Sequence, residues 1–202
     1  MKKTTGVKVT TPKFRATWVF LFRPRPNARE PHKKPQYSVT MLFEKGQDLA
    51  VLKQAALEAG IQAWGPKEGW PELNSTPFKD QASALKRRED GSEYLPDGYT
   101  PLAMMIEAKT NQIPGVVDQK CQPIIDETDF YSGCYARAVV VFKAYEYLGK
   151  KGITCYLQHV QKWADGESLA GRAKAEDSFE AITPIGGNAQ DLAGSTDDLL
   201  GL

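Results

Sequence analysis

The chain is expected to fold as a mainly β barrel with one principal helix, long loop insertions and an acidic C-terminal tail. Three observations predict this: a long β-hairpin pattern between Gly133 and Gly171, a single stretch with helical periodicity, and a sharp division of charge along the chain. With 202 residues, 41% hydrophobic and 25% charged, it is long enough for one substantial core, and two full domains would be cramped. The division expected is a folded domain over residues 1–179 and a flexible tail over 180–202.

The first strand falls in Phe14–Phe22, where Phe14, Ala16, Trp18, Phe20 and Phe22 alternate and predict a buried aromatic face. Arg23-Pro24-Arg25-Pro26 ends it, because proline removes ladder donors. A second strand at Gln36–Phe43 places Tyr37, Val39, Met41 and Phe43 on one side. Residues 1–34 hold ten cations against the single acid Glu30. The loop between these strands, with Arg23, Arg25, Lys33 and Lys34, is therefore a candidate phosphate track, although a solvated basic loop has the same composition. Gln47–Trp64 carries Leu49, Leu52, Ala56, Ala59 and Ala63 at helical spacing, and Asp48 near its start suits the helix dipole. This helix is expected to cover one end of the barrel.

Residues 65–98 are rich in Gly, Pro and polar side chains and form a long insertion. Trp64 and Trp70 either anchor it to the core or stack on a ligand. Leu102–Lys109 and Gly115–Asp118 are short strand candidates.

The hairpin carries the functional argument. Its arms are Cys134–Tyr147 and Ile153–Trp163, both rich in β-branched and aromatic residues, with Gly149-Lys150-Lys151-Gly152 as the loop. That loop would place Leu148 opposite Ile153 and Tyr145 opposite Tyr156. One face then bears Tyr135, Arg137, Lys143, Tyr145 and Tyr147 opposite Tyr156 and Lys162. The other bears Cys134, Ala136, Ala138, Val140 and Phe142 opposite Cys155, Leu157 and Trp163. The second face suits a tight barrel interior. Tyrosines mixed with cations suit unpaired bases: Tyr135, Tyr145, Tyr147 and Tyr156 are expected to stack on them, at roughly 1–3 kcal/mol each, while Arg137, Lys143, Lys150, Lys151 and Lys162 hold phosphates. Ordinary cross-strand packing would also explain exposed tyrosines. At least five strands, mostly antiparallel, with one helix, fit an OB-fold-like Greek-key barrel.

The formal net charge is only +1, but no cation follows Lys174. The six acids beyond it leave 26 cations against 19 acids in the body, a net +7. A basic body with an acidic tail suits a polyanionic ligand. Cys121, Cys134 and Cys155 form no CxxC and no even disulfide set, which fits a reducing compartment. No apolar stretch approaches a membrane span, and the expectation is a soluble cytoplasmic protein.

Catalytic signatures are weak. Neither a Walker loop nor GxGxxG occurs, and the two histidines, His32 and His159, are unmarked by any partner motif. Cys155 and His159 would share a face about 13 Å apart along a strand, too far for one metal. The best enzyme alternative is a nuclease holding Mg²⁺ on Asp126, Glu127 and Asp129. A protein-interaction module is the other alternative. The expectation is no cofactor, no metal and no enzymatic activity.

Ordered motifs then resemble a known family. Tyr131-Ser-Gly-Cys-Tyr135, the Gly149-Lys-Lys-Gly152 turn, Leu157-Gln-His-Val-Gln161, Asp165-Gly-Glu167 and Gly171-Arg-Ala-Lys-Ala-Glu-Asp-Ser-Phe179 resemble a tailed-phage family of single-stranded-DNA-binding proteins. Pro35-Gln-Tyr-Ser-Val-Thr40 and Pro114-Gly-Val-Val-Asp118 add to the likeness, which covers most of residues 7–179. The resemblance implies an OB-fold that coats single-stranded DNA during phage replication and recombination in the infected bacterial cell. It also implies an acidic tail that competes with DNA and contacts polymerase or helicase. Here the tail ends Asp197-Asp198-Leu199-Leu200-Gly201-Leu202, with leucines where the best-known tails finish in Phe. Oligomeric state stays open, a dimer included.

Overall fold

The structure, a computed structural model, describes residues 6–27, 32–147 and 149–169. The strands in chain order are β1 (Val7–Thr10), β2 (Phe14–Arg25) and β3 (Gln36–Leu42), followed by the helix α1 (Ala50–Trp64). After α1 come β4 (Phe78–Asp80), β5 (Lys86–Arg87), β6 (Glu93–Tyr94), β7 (Met104–Thr110), β8 (Gly115–Val117), β9 (Tyr135–Tyr147) and β10 (Lys150–Ala164).

Five strands form a ring. β9 pairs with β2, β2 with β3 and β3 with β7, all antiparallel. β7 runs parallel to β10 through Lys109 and Tyr156, and β10 returns antiparallel to β9. β1 extends the β9 edge beyond β2, β8 follows β7 along β10, and β4 flanks β7. The ring encloses the small apolar set that the sequence placed inside: Cys134, Ala136, Ala138, Val140, Phe142, Cys155 and Leu157 are all buried. Phe14, Ala16, Val39, Met41 and Phe43 are buried with them. Burial pushes the Cys134 thiol up to about 11 and also raises Cys155, so both behave as packing groups.

The long hairpin forms, with a different register. Lys150 pairs with Tyr147, so Lys150 and Lys151 are strand residues and the turn is tighter than the expected four-residue loop. Ile153 sits opposite Ala144 instead of Leu148, and Tyr156 opposite Val141 instead of Tyr145. The shift of four residues is even, so inner and outer faces are preserved near the turn. Two irregularities further along, at Leu157/His159 and Lys162/Ala164, reverse later positions. Lys162 therefore pairs with Ala136 on the inner side, and Trp163, expected inside, is 50% exposed. The first irregularity also separates Cys155, buried, from His159, exposed, which the alternation had put on one face.

α1 starts at Ala50, three residues later than the periodicity suggests. Gln47 instead donates to the Lys13 carbonyl, and the Asp48 carboxylate accepts from the Ala50 N–H. Leu52, Ala55, Ala56 and Ala59 are buried where the helix packs on β9, β1 and β10, whereas Ala63 is exposed. The two tryptophans anchor the insertion. Trp70 donates from Nε1 to the Gly65 carbonyl at 2.8 Å and meets Trp64 edge-on at 5.6 Å. A Cβ on Gly60 would lie 2.1 Å from the Trp70 ring, so the close approach requires glycine there.

Candidate nucleic-acid interface

The β2 sequence Ala16-Thr-Trp-Val-Phe-Leu-Phe22 is apolar at nearly every position, and the strand uses that freedom. Its pairing with β3 slips by one residue between Thr17 and Phe20, and Trp18 takes the left-handed backbone region at φ 49°. Such a bulge reverses the alternation. Leu21 turns inward and is buried, while Phe20 pairs with the outward Ser38 and Trp18 is 43% exposed. The expected inward face of Trp18 and Phe20 is thereby corrected: both lie outside the barrel. A non-glycine residue held at positive φ costs roughly 1–3 kcal/mol and persists where its surroundings enforce it.

Those surroundings are cationic and polar. The Arg25 guanidinium stands 5.6 Å from the Trp18 ring centre and 5.1 Å from that of Phe20, and the Lys86 ammonium lies 5.3 Å from Trp18. Burial raises the pKa of Tyr99, and the neighbouring Trp18 and Thr17 side chains oppose the shift. Lys79 and Lys109 join the walls of a groove of about 660 Å³ that also includes Phe20, Ser38 and Tyr99. The one acid on the walls, Glu107, is paired with Lys109 at 3.0 Å.

The groove continues onto the hairpin. Phe20, Ser38, Lys109 and Tyr156 are direct partners across four neighbouring strands, so they form one outward row about 14 Å long. Tyr156 is 43% exposed, and the Lys143 ammonium lies 5.5 Å from its ring centre. Arg25, Lys143 and Tyr156, all proposed from sequence, are thus brought together with Trp18, Phe20, Tyr99, Lys79, Lys86 and Lys109, which sequence reasoning did not propose. For Trp18 and Phe20 the residue types were suggestive, but no periodicity locates a bulge inside a uniformly apolar strand. The three lysines and Tyr99 arrive from elements far apart in sequence, and only the fold collects them.

The remaining predicted residues are spread out. Tyr147 and Lys150 are exposed at the hairpin end. Tyr145 lies against Gly152, where a Cβ would sit 2.9 Å from the tyrosine hydroxyl, so glycine makes room for the ring. Lys151 pairs with Glu146 at 3.3 Å, and its backbone N–H and carbonyl both bond Asn74, which ties the insertion to the hairpin. Arg23 pairs with Glu127 at 3.1 Å. Lys33 and Lys34 are exposed ahead of β3. Tyr135 and Arg137 occupy the far end of β9, roughly 40 Å of strand from Tyr147. Lys162 is turned inward, donating to the Asp129 carbonyl and the Asp165 carboxylate, each at 2.7 Å. Burial lowers its pKa, but Asp165 outweighs that and raises it overall. The tail residues Asp197, Asp198, Leu199, Leu200 and Leu202 lie outside the described residues.

Two of the three nuclease carboxylates, those of Asp126 and Glu127, have other partners. Asp126 accepts from the Thr128 N–H and hydroxyl, which hold its carboxyl below the usual carboxylate range. With Glu127 on Arg23, no group of three or more His, Cys, Asp or Glu able to hold a metal ion forms among the described residues.

The family described as "Enterobacter phage Enc34, ssDNA-binding protein" matches residues 7–192. Protein p50 of Acyrthosiphon pisum secondary endosymbiont phage 1 is 31% identical over 139 residues, covering 67% of this chain and 73% of that one. The solved single-stranded DNA-binding protein from bacteriophage Enc34 matches with a TM-score of 0.60 at 18% identity, over 89% of this chain and 97% of that one. The same phage protein in complex with ssDNA matches with a TM-score of 0.61 at 19% identity, over 83% and 95%. The gp2.5 single-stranded DNA-binding protein of bacteriophage T7 matches with 0.54 at 13% identity, over 83% and 97%. At these identities the structural likeness is one of fold.

Proposed function

The chain belongs to the family of the Enterobacter phage Enc34 ssDNA-binding protein, and we propose on that footing that it binds single-stranded DNA with little sequence preference. The observation that carries this reading is the outward pair Trp18 and Phe20, in one groove with Arg25, Lys79 and Lys109 and with Lys86 beside the Trp18 ring. Aromatic faces accept any base, and the cations around them hold phosphates. The five-stranded ring, with one parallel and four antiparallel contacts, supports an OB-type Greek-key barrel. On that reading β3 and β7 are its second and third strands. The groove then lies where such barrels receive oligonucleotides, between the loop carrying Lys33 and Lys34 and the hairpin end carrying Tyr147 and Lys150.

The same reading covers the tail. Its acids complement the basic body, so it occupies the groove when DNA is absent and is free to engage replication proteins such as a polymerase or helicase when DNA is bound. The setting is phage replication and recombination, in the cytoplasm of the infected bacterium. The test is fluorescence anisotropy of a labelled oligonucleotide, single-stranded and duplex side by side, across a salt series. Salt-sensitive binding of the single strand, with weak binding of the duplex, supports the proposal. Equal binding of both forms, or of neither, sinks it.

A further inference from the structure

Trp163 stands beyond the groove. The irregularity between Leu157 and His159 reverses the alternation of β10, so Lys162 faces inward and the indole of Trp163 outward, where it is 50% exposed. The Arg137 guanidinium lies 5.6 Å from the ring centre and is held there: its Nε donates to Gln161 Oε1 at 2.8 Å, while Gln161 Nε2 donates to the Asp118 carbonyl at 3.0 Å. A half-exposed indole with a fixed guanidinium is a pre-ordered station for one base and one phosphate. The nearby acids are engaged. The Asp118 carboxylate accepts from the N–H groups of Lys120 and Gln122, and Asp165 is held by Lys162.

The station is continuous with the groove. From Tyr156, the outward positions of β10 run through His159, opposite Val139, to Gln161, opposite Arg137. That is roughly 17 Å along the strand at about 3.3 Å per residue. From these observations, and resting on the single-strand reading above, we infer that Trp163 and Arg137 form a second base-stacking station. A strand leaving the groove at Tyr156 continues along β10 to reach it. The occupant is the same single-stranded nucleic acid, engaged only when it is long enough to span both places.

The length dependence supplies the test. Binding of a short oligothymidylate that fills only the groove is compared with binding of a long one, for the unaltered chain and for Trp163→Ala, Trp163→Phe and Trp18→Ala. Trp163→Ala is expected to weaken the long oligonucleotide roughly fivefold or more and leave the short one unchanged. Trp163→Phe keeps a ring and should recover most of the loss. Trp18→Ala should weaken both lengths. Unchanged affinity of Trp163→Ala for the long oligonucleotide, with Trp18→Ala weakened, overturns the second station and leaves the groove standing. Failure of the unaltered chain to bind either length overturns both.

Discussion

Gln81 shows how much a single side chain holds. It is 1% exposed, donates from Nε2 to the carbonyls of Phe43 and Met104 at 2.9 Å each, and accepts from the Thr100 N–H at 2.8 Å. One amide thus satisfies backbone groups of three segments and clips the insertion to the barrel. Gln81→Leu removes that partner from the Phe43 carbonyl and the Thr100 N–H, while the Met104 carbonyl keeps the Phe43 N–H, and the expected cost is about 3 kcal/mol. In a chain of this size that is a fall in Tm of roughly 6–12 °C, readable by thermal melting. Gly60→Ala should destabilise by about 1–3 kcal/mol, because the added methyl meets a rigid indole. Tyr145→Ala sharpens the face assignment: it should weaken DNA binding with the fold intact, and unfolding would mean that its contact with Gly152 is structural.

At the scale of elements, the insertion is part of the site. It brings Lys79 and Lys86, with Tyr99 just beyond its end, to Trp18 and Phe20, which precede them by some sixty to eighty residues of chain. Gln81→Leu should therefore weaken single-strand binding as well as lower Tm, whereas Gly60→Ala, which loosens α1, should affect stability first. Hairpin existence, helix existence and the inner face of β9 were legible in the sequence because each rests on many residues in a consistent period. The groove was half legible. Arg25, Lys143 and Tyr156 stood out by residue type, but β2 is apolar on both faces near its middle, so a one-residue bulge leaves no trace in the pattern. The same holds at Trp163, where the irregularity at Leu157/His159 reverses a side chain that strict alternation puts inside. Hairpin register depended on the turn, and a tighter turn than expected moved every cross-strand pair while preserving the faces only as far as Leu157.

For the molecule as a whole, several groups have folded pKa values raised above their ordinary values. Burial raises Cys134, Cys155, Tyr99 and Tyr131, while Asp165 raises Lys162 against its burial. A group raised on folding contributes stability that is fully present below its unfolded pKa and is lost as pH climbs through the folded value. For Cys134 that window runs from the ordinary thiol value of 9.0 to about 11. All five shifts act in one direction, so Tm should be flat near neutrality and fall above about pH 9, which a melting series checks. The separation of charge makes a second prediction at this scale. Deleting residues 180–202 should tighten single-strand binding at low salt, and unchanged affinity would refute competition by the tail.

The central claim is that the bulge in β2 turns Trp18 outward to take a base. The most direct measurement is anisotropy of a labelled single strand with Trp18→Ala beside the unaltered chain, each variant's folding verified by its melting curve. The account predicts a loss of roughly 1–3 kcal/mol in binding, about fivefold to more than a hundredfold in Kd, with Tm nearly unchanged. Equal affinity of the two proteins would contradict it and would make the exposed indole a feature of packing alone.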